Sequence, residues 1–329
     1  MNLSVYQGLP VLVTGHTGFK GAWLCTILQG LGACVYGYAL HPENPSLFST
    51  LGFAMQQELA DIRDYHSVHT FMKQVRPKIV FHMAAQALVS TGRKQPIDTF
   101  STNIMGLVHV LEASVQVGVE AVVVVSTDKV YAPQSPSCST EAPLGGQDPY
   151  SASKTAAEFV IPPYKDRLSI SIARAGNAIG GGDWAEKRLI PDIMRAVQHQ
   201  QTVWLRHPKA TRPWIHVSEL MRAYLMLGAA NLQGMHTEAF NFGAKKSVSV
   251  EEMIQEMAQY GIKPIVQHEE NPALETFQLQ LDSTKSASLL GWKPLYTPQQ
   301  AIAYTVEEYA LLSSPSRLKE IMWARMKDW

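Results

Sequence analysis

The sequence predicts an α/β fold: a doubly wound parallel sheet with helices on both faces, followed by a smaller C-terminal α/β unit. Two observations carry this. Short β-branched runs alternate with longer amphipathic stretches through the first half, the rhythm of βαβ units and a parallel sheet. A glycine-rich turn follows the first of these runs directly and opens onto a helix. With 329 residues, the chain also exceeds the size at which one core usually stops growing, so it forms one large α/β unit or two closely packed domains.

Taken in order, "PVLVTG" reads as the first strand and a helix follows from about Phe19. "ACVYGYAL", "QQELADI", "KIVFHMAAQ" and "EAVVVVST" read as further strands, with a helix near Ile97 to Val117 ahead of the last. Another helix leads to the strand "LSISIARAGN". Beyond Asn177 the pattern changes to Gly-rich and Trp-containing loops, "AIGGGDWAEKRLIP" and "LRHPKATRPWIHV", separated by one helix at about Asp192 to His199. These read as ligand-covering segments. Val217 to Ala230 reads as a helix and "EAFNFG" as a strand able to rejoin the sheet. The C-terminal part holds a helix near Val250 to Tyr260, an "LGW" turn and a helix from about Pro298 to Leu312.

Composition removes several classes of function. Lys+Arg and Asp+Glu both number 28, for a formal net charge of zero. No block of like charge stands out, so the footprint of a nucleic-acid or anionic-membrane binder is missing and a small-molecule partner is expected. Three cysteines without CxxC spacing suggest neither a disulfide framework nor a zinc knuckle, and a reducing, cytoplasmic setting is expected. The N-terminal residues lack a signal-peptide pattern, and no apolar run approaches the roughly eighteen residues of a bilayer span. The eleven histidines show no HExxH or Cys/His ligand spacing, and no metal is expected. His16 and His216 read as hydrogen-bonding within loops. There is no Gly-x-Ser-x-Gly elbow for acyl transfer.

"VLVTGHTGFKGAWL" places Gly15, Gly18 and Gly21 after the first strand and at the mouth of the first helix. Glycine permits the tight turn and a close backbone approach, while the helix N-terminus offers unpaired N–H groups to a pyrophosphate. A Walker loop is excluded because Lys20 follows Phe19, with no Gly-Lys-Ser/Thr ending. The Gly-x-x-Gly-x-x-Gly spacing resembles the extended short-chain dehydrogenase/reductase family, which implies a Rossmann-like sheet and NAD as cofactor. By that resemblance Thr17 and Phe19 join the three glycines around the cofactor, and Asp61-Ile62 border its adenine. His82 to Gln86, including Ala84 and Ala85, line its nicotinamide half, with Asn103 and Ser126 also in contact. The second strand, "VYGYALHP", lacks the acid that often binds the adenosine ribose in the family, which leaves NAD versus NADP open at that position.

"DPYSASK" sets Tyr150 and Lys154 one helical turn apart on one face. Lys154 can hold the nicotinamide ribose while its charge lowers the phenol pKa, so that Tyr150 takes a proton from an alcohol as hydride leaves carbon. "VVVVSTDKVY" then raises a question, since a buried strand ends in an acid, a base and a phenol. In the family Thr127, or Ser126 beside it, hydrogen-bonds the reacting alcohol. Asp128 and Lys129 exceed what reversible oxidation needs; nucleotide-sugar epimerases generally have small neutral residues there. A 4,6-dehydratase must also remove a proton beside the new ketone and protonate a departing hydroxyl, and these two side chains supply such groups. Asp128 would then work protonated and Lys129 neutral.

"GHTGFKGAWL", "TNIMG", "STDKVY", "PYSASK", "ARAGNAIGGGDWAEKRLIPD", "RPWIHV" and "LGW" occur in the order and at roughly the spacing of the CDP-glucose 4,6-dehydratases, which the chain resembles from about Gln7 to Tyr309. The resemblance implies an NAD-binding domain of residues 1–176, with 213–245 rejoining it, and a nucleotide-sugar-binding domain of 177–212 and 246–329. It places Asn177 and the loop Gly182-Asp183-Trp184 near the substrate diphosphate and sugar, with Arg188 and Leu189 continuing the nucleotide pocket. Val203 to Leu205 would form an extended edge under the pyrimidine, and Arg212 a phosphate clamp. Trp184 and Trp214 have an equal reading as core aromatics. Two departures stand out: Ser90-Thr91-Gly92-Arg93 replaces the family's Arg-rich run, and Pro162-Pro163 should end the Tyr-Lys helix early. That helix commonly contributes to a dimer interface; a homodimer or homotetramer is expected. The implied activity is dehydration of CDP-glucose. The alternatives are another epimerase or dehydratase on this scaffold, or a non-catalytic dinucleotide-binding sensor.

Overall fold

The computed structural model describes residues 3–133, 137–205, 207–235, 238–268 and 280–329. Arg206, inside the second of the Trp-containing loops, lies outside the described residues. Seven strands form a parallel sheet: β1 (Pro10–Thr14), β2 (Cys34–Ala39), β3 (Gln56–Leu59), β4 (Ile79–His82), β5 (Ala121–Val125), β6 (Ser169–Ala175) and β7 (Glu238–Phe242). Their spatial order is β7-β6-β5-β4-β1-β2-β3. The order reverses between β1 and β4, where Val11 pairs with Ile79 and Thr14 with His82, and crevices at such switch points are where open α/β sheets bind ligands.

Alternation along each strand sends side chains to opposite faces, and both faces are buried. Val11, Val13, Ile79, Phe81, Ala121 and Val123 pack into one cluster with Trp23 and Ile27 from helix Phe19–Gly30 and with helix Val217–Leu232. Leu12, Val80, Val122 and Val124 pack into the other, against helices Tyr65–Val75 and Gly106–Val117. A third cluster, with Ile190, Ile193, Trp214, Met253, Met257, Ile302 and Tyr309, lies outside the sheet and is assembled from residues after 178. "EAFNFG" does rejoin the sheet, as β7 alongside β6.

Differences from the sequence reading have local causes. The expected helix over Ile97 to Val117 is one helical run interrupted by a π-helical stretch at Ser101–Met105, a distortion frequent at functional sites. The Tyr150 helix spans Pro149–Phe159, and a separate 3₁₀ turn holds Pro162–Tyr164, as proline's missing N–H requires. A C-terminal helix, Pro315–Ala324, escaped the reading. It packs on the first helix, where Trp323 Nε1 donates to Thr26 O at 2.8 Å.

Candidate active site

The C-terminal ends of β1 to β6 open into a cavity of about 1900 Å³, lined on its far side by the loops after residue 176, here called the second lobe. At its floor the glycine turn leaves no room for side chains. Gly15 has φ +74°, and a Cβ there would lie 2.7 Å from Ala84 N; one on Gly21 would lie 2.2 Å from Gly15 O. Gly18 caps the helix without a side-chain hydrogen bond, leaving its first amides available to an anion. This shape fits a dinucleotide's pyrophosphate.

Of the expected cofactor contacts, Thr17, Phe19, Asp61, Ile62, Ala84, Ala85, Gln86 and Ser126 line the cavity with the three glycines. Asp61 is held by Arg63 Nη2 at 2.7 Å, and that hydrogen bond keeps its carboxyl below the usual range. Asn103 and His82 correct the reading. Asn103 is buried and lines no part of the cavity; its amide donates to Gln86 O at 3.0 Å and Ser153 Oγ at 2.8 Å and accepts from Gln86 N at 2.8 Å. It fastens the loop after β4 to the Tyr150 helix, and the π-helical stretch carries it. His82 is buried under the floor, shares a 2.9 Å hydrogen bond with Thr14 Oγ1, and has its pKa pushed down to about 3 by burial and then by the Lys154 charge.

The reaction-centre residues come together. Asp148 caps the Pro149–Phe159 helix by accepting from Tyr150 N at 3.0 Å and Ser151 N at 3.1 Å, which sets Tyr150 at the first turn and Lys154 one turn on. Thr127 hydrogen-bonds the Tyr150 phenol and donates to Asp128 Oδ1 at 3.1 Å. Asp128 is only 3% exposed, and Lys129 Nζ, reaching in from a partly exposed position, lies 3.6 Å from its Oδ1. All five side chains line the cavity. Lys154 Nζ donates to Val125 O at 2.8 Å; burial brings its pKa down to about 8, opposed by Glu158. Glu158 is itself held by Arg174 in a buried pair.

One electrostatic expectation is overturned. The Tyr150 pKa is raised, because burial outweighs the Thr127 hydrogen bond and the Lys129 and Arg188 charges that act to lower it. Lys154 is turned to the Val125 carbonyl. Gly92 bears on the Ser90-Arg93 departure, since a Cβ there would lie 3.2 Å from Tyr150 N, a tight contact between helix Val89–Lys94 and the Tyr150 helix.

The opposite wall holds Asn177, Gly182, Asp183, Trp184, Arg188 and Leu189. Its loop is pinned from a distance: Gly181 N donates to Glu308 Oε2 at 2.8 Å, Trp23 Nε1 donates to Gly181 O at 3.1 Å, and the Tyr309 hydroxyl donates to Asp183 O. Glu308 is fully buried and also contacts His216 Nε2 at 3.1 Å. Asp183 Oδ2 accepts from Arg188 at 2.9 Å. Trp184 stands edge-on to Tyr309 and is shared between core and cavity; Trp214 is buried. Val203 and Leu205 line the edge of the cavity with their side chains in the second-lobe core, and Arg212 lies beside them. His16 and His216 are hydrogen-bonded to Gln57 and Ser218. Among the described residues, no group of three or more His, Cys, Asp or Glu is arranged to hold a metal. The sequence reading missed Lys20, Glu308 and Tyr309; for Lys20 the available signal was its place on the helix face of Trp23.

Residues 11–243 match the NAD dependent epimerase/dehydratase family. The chain is 40% identical over 317 residues to a CDP-glucose 4,6-dehydratase of Salmonella typhimurium, covering 88% of this chain and 87% of that one. It is 27% identical to the dTDP-D-glucose 4,6-dehydratase of Mus musculus, covering 76% of this chain and 72% of that one. The structure of a Thermus thermophilus UDP-glucose 4-epimerase complex with NAD superposes with a TM-score of 0.80 at 26% identity, over 91% of this chain and 98% of that one. The glycine cradle, the Tyr150–Lys154 pair and these likenesses agree, and the chain belongs to the NAD dependent epimerase/dehydratase family.

Proposed function

We propose that the protein is a nucleotide-sugar 4,6-dehydratase that converts CDP-glucose to CDP-4-keto-6-deoxyglucose. The observation that carries this reading is Asp128, buried beside Lys129 and Thr127 in the cavity that Tyr150 enters. An epimerase has no use for the extra acid and base. Gly15, Gly18 and Gly21 would hold the NAD pyrophosphate, Asp61 and Ile62 border the adenine, and Lys154 the nicotinamide ribose. NAD held there would supply a reversible hydride acceptor for oxidation at C4 and reduction at C6, with no net redox change.

The protein's own groups handle the protons. Tyr150, oriented by Thr127, takes the proton of the C4 hydroxyl. Lys129, as the neutral amine, takes the C5 proton made acidic by the C4 ketone and gives a proton back to C5 when hydride reaches C6. Asp128, as the carboxylic acid, gives a proton to the C6 hydroxyl so that it leaves as water. On the opposite wall, Asn177, Asp183, Arg188 and Leu189 would position the diphosphate and sugar, with Val203, Leu205 and Arg212 framing the nucleotide.

Mass spectrometry after incubation with a panel of nucleoside-diphosphate hexoses tests the reading. Loss of one water from CDP-glucose, with alkaline absorbance of a 4-keto sugar, is expected. An epimer of unchanged mass, or NAD binding with no turnover of any sugar nucleotide, would sink it.

A further inference from the structure

Lys20 lines the same cavity, yet none of the roles above uses it. It is the second residue of helix Phe19–Gly30, and residues three and four apart share a helix face, so Lys20 and Phe19 both neighbour Trp23. Those two aromatic side chains meet the second-lobe loop: Trp23 through its bond to Gly181 O, and Phe19 because a Cβ on Gly180 would come within 3.3 Å of its ring. Lys20 is thereby set toward the loop that continues to Arg188. The charged groups acting on it come from three walls: Arg188 and Asp183 from the loop, Asp128 from the tip of β5, and Lys154 from the Tyr150 helix.

Among the described residues, none forms a hydrogen bond or ion pair with the Lys20 side chain. Burial, followed by the Arg188 charge, lowers its pKa to about 8. The nearby carboxylates already have partners: Asp183 has Arg188 at 2.9 Å, and Asp128 has Lys129 at 3.6 Å. An ammonium so placed is matched by an anion that arrives with the ligand.

We propose that Lys20 is a substrate-binding residue whose ammonium, reaching from the dinucleotide-cradling helix toward the second-lobe loop, holds a phosphate oxygen of the nucleotide sugar's diphosphate. The assignment rests on the nucleotide-sugar reading above. It ties the substrate to the cofactor lobe and makes its affinity pH-dependent.

Calorimetric titration of the NAD-loaded wild type, Lys20→Met and Lys20→Arg with CDP and with CDP-glucose tests it. Lys20→Met should weaken both ligands alike, by about tenfold to a hundredfold, the size of one charge-assisted hydrogen bond. Its NAD content should be unchanged, and Lys20→Arg should recover much of the affinity. In the unmodified protein, CDP affinity should fall as pH rises through about 8, which needs no variant to fold. Unchanged CDP affinity overturns the proposal, as does a loss confined to CDP-glucose, which would put Lys20 on the hexose, or a loss of NAD instead, which would put it on the cofactor. Wild type that binds CDP without turning over CDP-glucose sinks the dehydratase reading and leaves Lys20 judged on binding alone. Wild type that binds neither ligand sinks both.

Discussion

The two walls of the cavity are built differently. The wall bearing Thr127, Asp128, Tyr150 and Lys154 is held by neighbours in sequence: Asp128 by the adjacent Thr127, Tyr150 N by Asp148 two residues away, and Lys154 by Val125 twenty-nine residues away. The Gly181–Asp183 wall is held by partners 126 to 158 residues distant, Tyr309, Glu308 and Trp23. Proton transfer tolerates little misplacement, and in the proposed reaction the short-range wall would carry it. The long-range wall is tied to distant parts of the chain, which suits the task of gripping a ligand.

Substitutions should separate the walls through kcat and KM. Tyr150→Phe removes the C4 base and is expected to cost kcat about 10³- to 10⁴-fold with little change in substrate affinity, read by steady-state kinetics on CDP-glucose. Asp128→Asn should lower product formation by about 10²- to 10³-fold while C4 oxidation continues, so reduced cofactor accumulates at the nicotinamide absorbance; absence of that signal would put Asp128 before hydride transfer. Glu308→Gln, on the other wall, should raise KM about tenfold and lower thermal stability by roughly 1–3 kcal/mol, as a buried contact to Gly181 N or His216 is lost. An equal effect on kcat would erase the distinction. Tyr309→Phe loses one hydrogen bond to Asp183 O, about 1 kcal/mol, and should move KM a fewfold.

A separate effect is expected on ligand-free stability. Lys154 has its folded pKa lowered from 10.5 to about 8, so above pH 8 the unfolded chain binds more protons at this site than the native one. Its contribution to stability should therefore rise with pH from about 8 toward 10.5 and be lost as pH falls through that window. Urea midpoints of the wild type and Lys154→Met across this range check it: the wild type should show the steeper rise.

Much of the first wall was legible because its signals are local. A glycine turn after a β-branched strand, a tyrosine and a lysine at i, i+4, and charges at the end of a valine run are each contained in a short window, and the structure places them around one cavity. Asn103 and His82 were misassigned because both belong to segments that border the cavity, and only packing decides whether a side chain faces into it or away. Asn103 lies in the π-helical stretch and is bonded to Ser153. Lys20 was passed over because charged groups that act on it, Asp183 and Arg188, come from a loop some 160 residues later in the chain.

By itself the sequence determined the parallel sheet and the glycine cradle, and it marked the side chains proposed to handle protons, since strand alternation and helical periodicity are set by backbone geometry within a few residues. Tertiary structure alone decided which groups lie buried together: it lowered the pKa of Lys20 and Lys154, raised that of Tyr150, and hung the Gly181–Asp183 loop from Glu308 and Tyr309. The physical reason is that desolvation and long-range hydrogen bonding depend on what surrounds a group in space, which residue order near that group does not specify.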